Sequence, residues 1–151
     1  MNSTATIFSR LNGDSTLTAL LASYTPATGG ASRAAIFSEF APDDFVMSSA
    51  QTKPCLVIAA PLDRQPAATL TEDFEIHERQ VRGYAYFNGS TAGLDTVMER
   101  VVTLFQNAQA SLSVTGGTVI ASRVSGPVGS PTDDTALIGR RIGLRLEFQA
   151  N

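Results

Sequence analysis

KPCLVIAAPLDRQPAATLTEDFEIHERQVRGYAYF, residues 53–87, is the stretch whose reading decides the fold. Its head, Cys55 to Ala60, is an unbroken apolar run held between Pro54 and Pro61, the pattern of a strand covered on both faces. Its tail, from Arg79 to Phe87, alternates instead. Val81, Ala85 and Phe87 fall on one side, and Gln80, Arg82, Tyr84 and Tyr86 on the other, which describes a strand with one apolar and one amphipathic, arginine-bearing face. Between them, DRQPAATLTEDFE (63–75) is too long for a tight turn and reads as a large hairpin loop or a flexible arm. Two strands joined with no helix between them argue against a doubly wound α/β fold.

Upstream, Ile7, Leu11, Leu17, Leu20, Leu21 and Tyr24 make a helical stripe broken at Asn12-Gly13, where Asp14 is placed to cap a fresh start at Ser15. Pro26 and Gly29-Gly30 end it, and Ala34 to Phe40 reads as a short strand. Residues 42–52 form a polar connection that carries the apolar trio Phe45, Val46 and Met47. Downstream, Leu94, Val97, Met98, Val101, Val102, Leu104, Phe105 and Ala108 give the clearest helical stripe in the chain, with Thr91 as its expected cap. TVIASRV (118–124) is a strand, GPVGSPTDD (126–134) a second long polar loop, and Ile142, Leu144, Leu146 and Phe148 alternate with Gly143, Arg145 and Glu147 in a closing strand. The expected fold is a single α+β domain over residues 1–151. It has a mainly antiparallel or mixed sheet of four to five strands, packed by an N-terminal helical segment and one amphipathic helix.

The chain has 151 residues, 43% of them hydrophobic and 17% charged, a composition that supports a buried core and excludes disorder throughout. Its net charge of −3 lacks the basic field that drives attraction to phosphate backbones. Lys53 is the one lysine against ten arginines, and arginine suits fixed, forked contacts with carboxylates. Cys55 stands alone, which forbids an intramolecular disulfide and a thiolate-rich zinc cage. No apolar run approaches the roughly 20 residues that span a bilayer, and MNSTATIFSR is not a secretion signal, so a soluble protein made in the cytoplasm is expected.

The chemistry is sparse. GxGxxG, GxxxxGK[ST], HExxH and GxSxG are all missing. His77 is the one histidine, so a triad or histidine-bound metal would have to be built on it. Asp73, Glu75 and His77 share a face if 73–77 is extended, but the spacing matches no metal cage, and neither metal nor cofactor is expected. Asp43-Asp44 and Asp133-Asp134 sit beside Pro42 and Pro131 and read as turn residues. Arg140-Arg141 opens a strand without the interleaved aromatics that stack bases, which favours partner recognition over nucleic acid.

The succession LTALLASY, AAIFSEFAP, KPCLVIAAP, ERQVRGYAYF, LDTVMERVVTLF and IGLRLEF resembles the tail terminator, or tail-completion, proteins of long-tailed bacteriophages, over most of the chain. That resemblance implies a virion protein assembled in the host cytoplasm. It implies a homo-oligomeric ring, hexameric in the family, that caps the tail tube, halts addition of tube protein and offers a surface to the head connector at the head-tail junction. It implies no catalysis, no cofactor and no membrane, with DNA only as passing cargo, to which a net acidic subunit would not stick. Other phage neck or head-completion proteins share these traits. A small α+β enzyme or ligand-binding domain would instead gather His77 with carboxylates from distant segments, and a DNA-binding protein would be retained on a phosphate-rich column. The family carries no short signature to transfer by position, so interface candidates rest on exposure and chemistry. They are Phe40, Phe45 and Met47 as an apolar anchor, Asp63, Arg64, Glu72 and Asp73 on the first long loop, and Asp133 and Asp134 on the second.

Overall fold

The computed structural model describes residues 2–61, 63–66 and 74–151, with the backbone alone over 63–66. Helix α1 (Ser3–Asn12) begins at Asn2, whose side-chain oxygen accepts the Ala5 amide at 3.0 Å. It stops at Gly13, and α2 (Ser15–Leu20) restarts at Asp14, whose carboxylate accepts the Leu17 amide at 2.7 Å. Each cap satisfies an amide that the first helical turn leaves without a partner. The break at Asn12-Gly13 therefore gives two helices. Tyr24 does not continue their stripe, because Leu21 turns extended and the Ala22 amide bonds to the Pro54 carbonyl at 2.8 Å, tying the chain to the sheet. Tyr24 lies in β1 (Ser23–Tyr24), which pairs with β2 (Arg33–Ala34) as a separate two-stranded sheet.

The main sheet runs β3 (Ile36–Ser38), β4 (Cys55–Ile58), β6 (Phe74–Tyr86), β8 (Leu137–Ala150) and β7 (Gly117–Gly129) across its width. β3 and β4 are parallel and the other neighbours antiparallel. β4 occupies one half of β6's edge, opposite residues 81–84, and β5 (Asp63–Pro66) the other half, opposite 75–78.

Several expected boundaries move. The strand expected over 34–40 is split at Ala35 and ends at Ser38, where Glu39 takes φ 69° and swings Phe40 outward. The loop or arm expected over 63–75 is partly sheet, since β5 pairs there and β6 starts at Phe74. β7 likewise runs to Gly129 through much of the expected polar loop, and β8 opens at Leu137, ahead of Arg140-Arg141. The last two changes share a reason: the added stretches pair through backbone hydrogen bonds in sequence that is largely polar, so no hydrophobic period marks them. Phe87, placed with Val81 and Ala85, lies past the end of β6 and is exposed. Thr91 makes no side-chain cap to α3 (Ala92–Phe105); the Ser90 hydroxyl accepts the Ala92 amide at 3.2 Å, and Thr91 donates to Asp95 at 2.7 Å.

One face of the sheet is packed by helices. Leu94, Val97, Met98, Val101, Leu104 and Phe105 of α3, with Ile7, Leu11 and Leu17 of α1 and α2, bury against Leu56, Ile58, Val81, Ile142, Leu144, Leu146 and Phe148. At about 1.5–3 kcal/mol per fully buried side chain, the six from α3 make it the chief lid over the sheet. The opposite face is covered over β3 and β4, where Tyr24, Ala35 and Phe37 pack on Cys55 and Val57. This is why CLVI reads apolar at every position: both of its faces are buried. No helix among the described residues is long and apolar enough to cross a membrane.

Candidate functional site

On β8 the even residues 142–148 face the helices, so Arg141, Gly143, Arg145 and Glu147 must face the other way. Register then fixes their neighbours. Arg141 stands opposite Arg82 of β6 and Val128 of β7; Arg145 stands opposite Glu78 of β6 and Arg123 of β7. Four arginines thus share the uncovered face of β6, β8 and β7, two pairs of them directly opposite each other. Like charges so placed oppose folding. Among the described residues the counter-charge is thin. Arg145 donates through Nε to Glu147 at 3.2 Å and lies 3.8 Å from Glu78, both half-exposed contacts of small worth, and Arg82 is held by Gln80 at 3.0 and 3.2 Å. No ion pair of Arg123 or Arg141 is found among the described residues.

These strands enclose an open groove of about 540 Å³, walled by Glu78, Gln80, Arg123, Ser125, Val128, Arg141 and Arg145. Gly143 is its floor. A Cβ there would come within 2.5 Å of the Ser125 hydroxyl, so a side chain would push the wall aside. A bulge between Ser125 and Val128 shapes the rim, using Gly126 at φ 92°, a conformation open to glycine. Beyond it Val128 is 51% exposed.

At the other side of the same face lies the segment EFAPDDFV, residues 39–46. Asp44 anchors it, accepting the Ala27 amide and the Tyr24 hydroxyl, each at 2.9 Å. The amide first and the phenol second hold the Asp44 carboxyl below its ordinary value, while burial first and Asp44 second push the Tyr24 phenol up. Phe45 packs edge-on to Tyr24 at 6.0 Å and against Phe37 at 5.1 Å. With Phe45 fixed inward, Phe40 and Val46 are left 74% and 68% exposed, flanked by Glu39 and Asp43.

The sequence-derived candidates do not gather in one place. Phe40 is a protruding apolar tip, whereas Phe45 and Met47 pack back onto the β3–β4 cover. Asp63 and Arg64 are placed by β5 opposite Glu78 and His77. Glu72 and Asp73 lie outside the described residues. Asp133 and Asp134 sit in the turn from β7 to β8, where Asp134 accepts the Ala136 amide at 2.8 Å and closes the turn. His77, far from being a reactive surface group, is buried, with Nε2 2.8 Å from Glu75 and its ring 4.9 Å from Phe148. No cluster that could hold a metal ion occurs among the described residues. Burial pushes the Cys55 thiol up to about 12. The arginine face went unseen in the sequence because Arg123 and Arg145 become neighbours only through strand register. The one-sided use of arginine was its only written sign.

No family model matches the chain, and no curated protein matches it. Among solved structures, a chain described as part of the "Virion of native gene transfer agent (GTA) particle" superposes with a TM-score of 0.71 at 14% identity. The match covers 98% of this chain and 95% of that one. At that identity the likeness shows a shared fold.

Proposed function

We propose that the chain is a structural virion subunit, a tail terminator, that assembles into a ring on the end of the tail tube. The observation that supports this most is the near end-to-end likeness of its fold to a chain of a virion. The surface chemistry agrees. Exposed apolar residues occur on both sides of the sheet, Phe40 and Val46 beside β3, and Ile120 and Val128 on β7. Two different patches on opposite sides suit a head-to-tail contact, which closes into a ring when the rotation allows. The task of such a ring is geometric: one face matches the tube end, and the other differs from it, so the next tube subunit finds no seat. A buried histidine and a protonated, buried thiol suit a scaffold rather than a reaction centre.

Removing the gene from the particle that encodes it tests this reading. Abnormally long tails without heads are the expected outcome. Tails of normal length that fail to join heads would assign the chain to the neck instead, and normal infectious particles would refute a virion role.

A further inference from the structure

We propose that the arginine groove over β6, β8 and β7 receives the acidic, apolar segment 39–46 of a second copy of this chain. The contact is head-to-tail: Phe40 and Val46 rest by Val128, and Glu39 and Asp43 pair with Arg141 and Arg123. It rests on the ring reading above and names that ring's interface.

Three observations carry it. First, the groove presents like-charged arginines in opposed register, an arrangement that a supply of carboxylates would relieve. Second, the chain carries the complement. Residues 39–46 hold three acids and no base, and beside the exposed Glu39 and Asp43 they carry two exposed apolar side chains, Phe40 and Val46. Third, both surfaces lie on the same face of the sheet at opposite sides, β3 at one edge and β7 at the other. A copy set with its β3 edge beside a neighbour's β7 edge brings its segment over that neighbour's groove. The two surfaces do not overlap, so every copy can give and receive at once. Arginine's planar fork suits carboxylates held at fixed positions, and Asp44 and Phe45 fix the segment before contact. A protein occupant is favoured over nucleic acid because Val128, exposed at the rim of the groove, offers an apolar contact that side chains such as Phe40 and Val46 can use and a phosphate backbone cannot. Sealing the groove between copies also keeps these arginines away from DNA passing through the ring.

Full-length Phe40→Cys, Val128→Cys and the double variant test the contact by oxidation with copper-phenanthroline, both on purified protein and on released particles. The native Cys55 is buried and its thiol protonated, so it stays silent. Across five strands the two positions are about 19 Å apart, too far for a disulfide within one copy. The double variant should give a ladder of dimers and larger species, each single variant only monomer, and an equal mixture of the two singles a dimer and nothing larger. Adding Arg141→Glu to the double variant should cut the ladder roughly tenfold. Both cysteines replace exposed side chains, and an unchanged melting temperature confirms that each variant folds. Dimers from either single variant would mean a two-fold contact and overturn the proposal, as would a double variant that stays monomeric in solution and in particles. A chain present in particles without a ladder sinks this interface and leaves the virion role standing. A ladder in solution with no chain in particles does the reverse.

Discussion

The Asp14 carboxylate serves two elements at once, accepting the Leu17 amide at 2.7 Å and the Arg100 guanidinium at 3.0 and 2.6 Å. It therefore caps α2 and fastens it to α3. The Arg100 hydrogen bond first, against a smaller opposing effect of burial and with help from the Leu17 amide, holds the carboxyl below its ordinary 3.8. A carboxyl whose folded value is depressed adds stability that is complete above its unfolded value and is lost as pH falls through the folded one. Asp14→Ala should cost about 1 kcal/mol through the cap alone, or about 2–4 °C in melting temperature. Asp14→Asn keeps the cap but not the charge. Its melting deficit against the wild type should be steady at neutral pH and close as pH drops below 3.8, followed by circular dichroism. A deficit that persists unchanged in acid would show that the Arg100 pairing contributes nothing. The cap was legible in the sequence, because Asn12-Gly13 breaks the stripe just before it. Arg100 was not, since nothing local links positions 14 and 100.

Among the elements, legibility followed contrast between faces. α3 and residues 142–148 were readable because each has one buried side, and burial writes a period into the sequence. The far halves of β6 and β7 lie where side chains are polar or half-exposed on both faces, and their pairing leaves no period to read. The match of β6 to α3 was also hidden. Gly83 leaves room for side chains of the helix: a Cβ there would meet the Met98 sulfur at 2.6 Å and Leu94 Cδ1 at 2.9 Å. Gly83→Val should destabilise by about 1–3 kcal/mol through overpacking, read as a lower denaturation midpoint with an unchanged slope. A neutral result would mean that α3 is free to shift away from the sheet.

At the scale of the whole molecule, a net charge of −3 conceals a division. Arginines gather on the open half of one sheet face, while the acidic segment 39–46, with exposed Phe40 and Val46, lies beside the covered half. Charge counted along the chain described an acidic subunit that DNA would pass. Charge placed by the fold describes a subunit with two unlike sides, which is what a closed ring of identical copies requires. The order of the helices and of the five main-sheet strands was readable from the sequence and carried the resemblance to tail terminators, whereas β1, β2 and β5 were not. The division of charge was not, because it depends on which residues of distant strands stand opposite one another.

The proposal that this chain closes a growing tube by shape is tested most directly by the length of tail tubes assembled from purified tube protein, measured by electron microscopy with and without it. The expected result is shorter tubes, each with a ring of this chain at one end, and Phe40→Asp should abolish the effect. Tubes of unchanged length with bare ends at saturating chain would contradict the account.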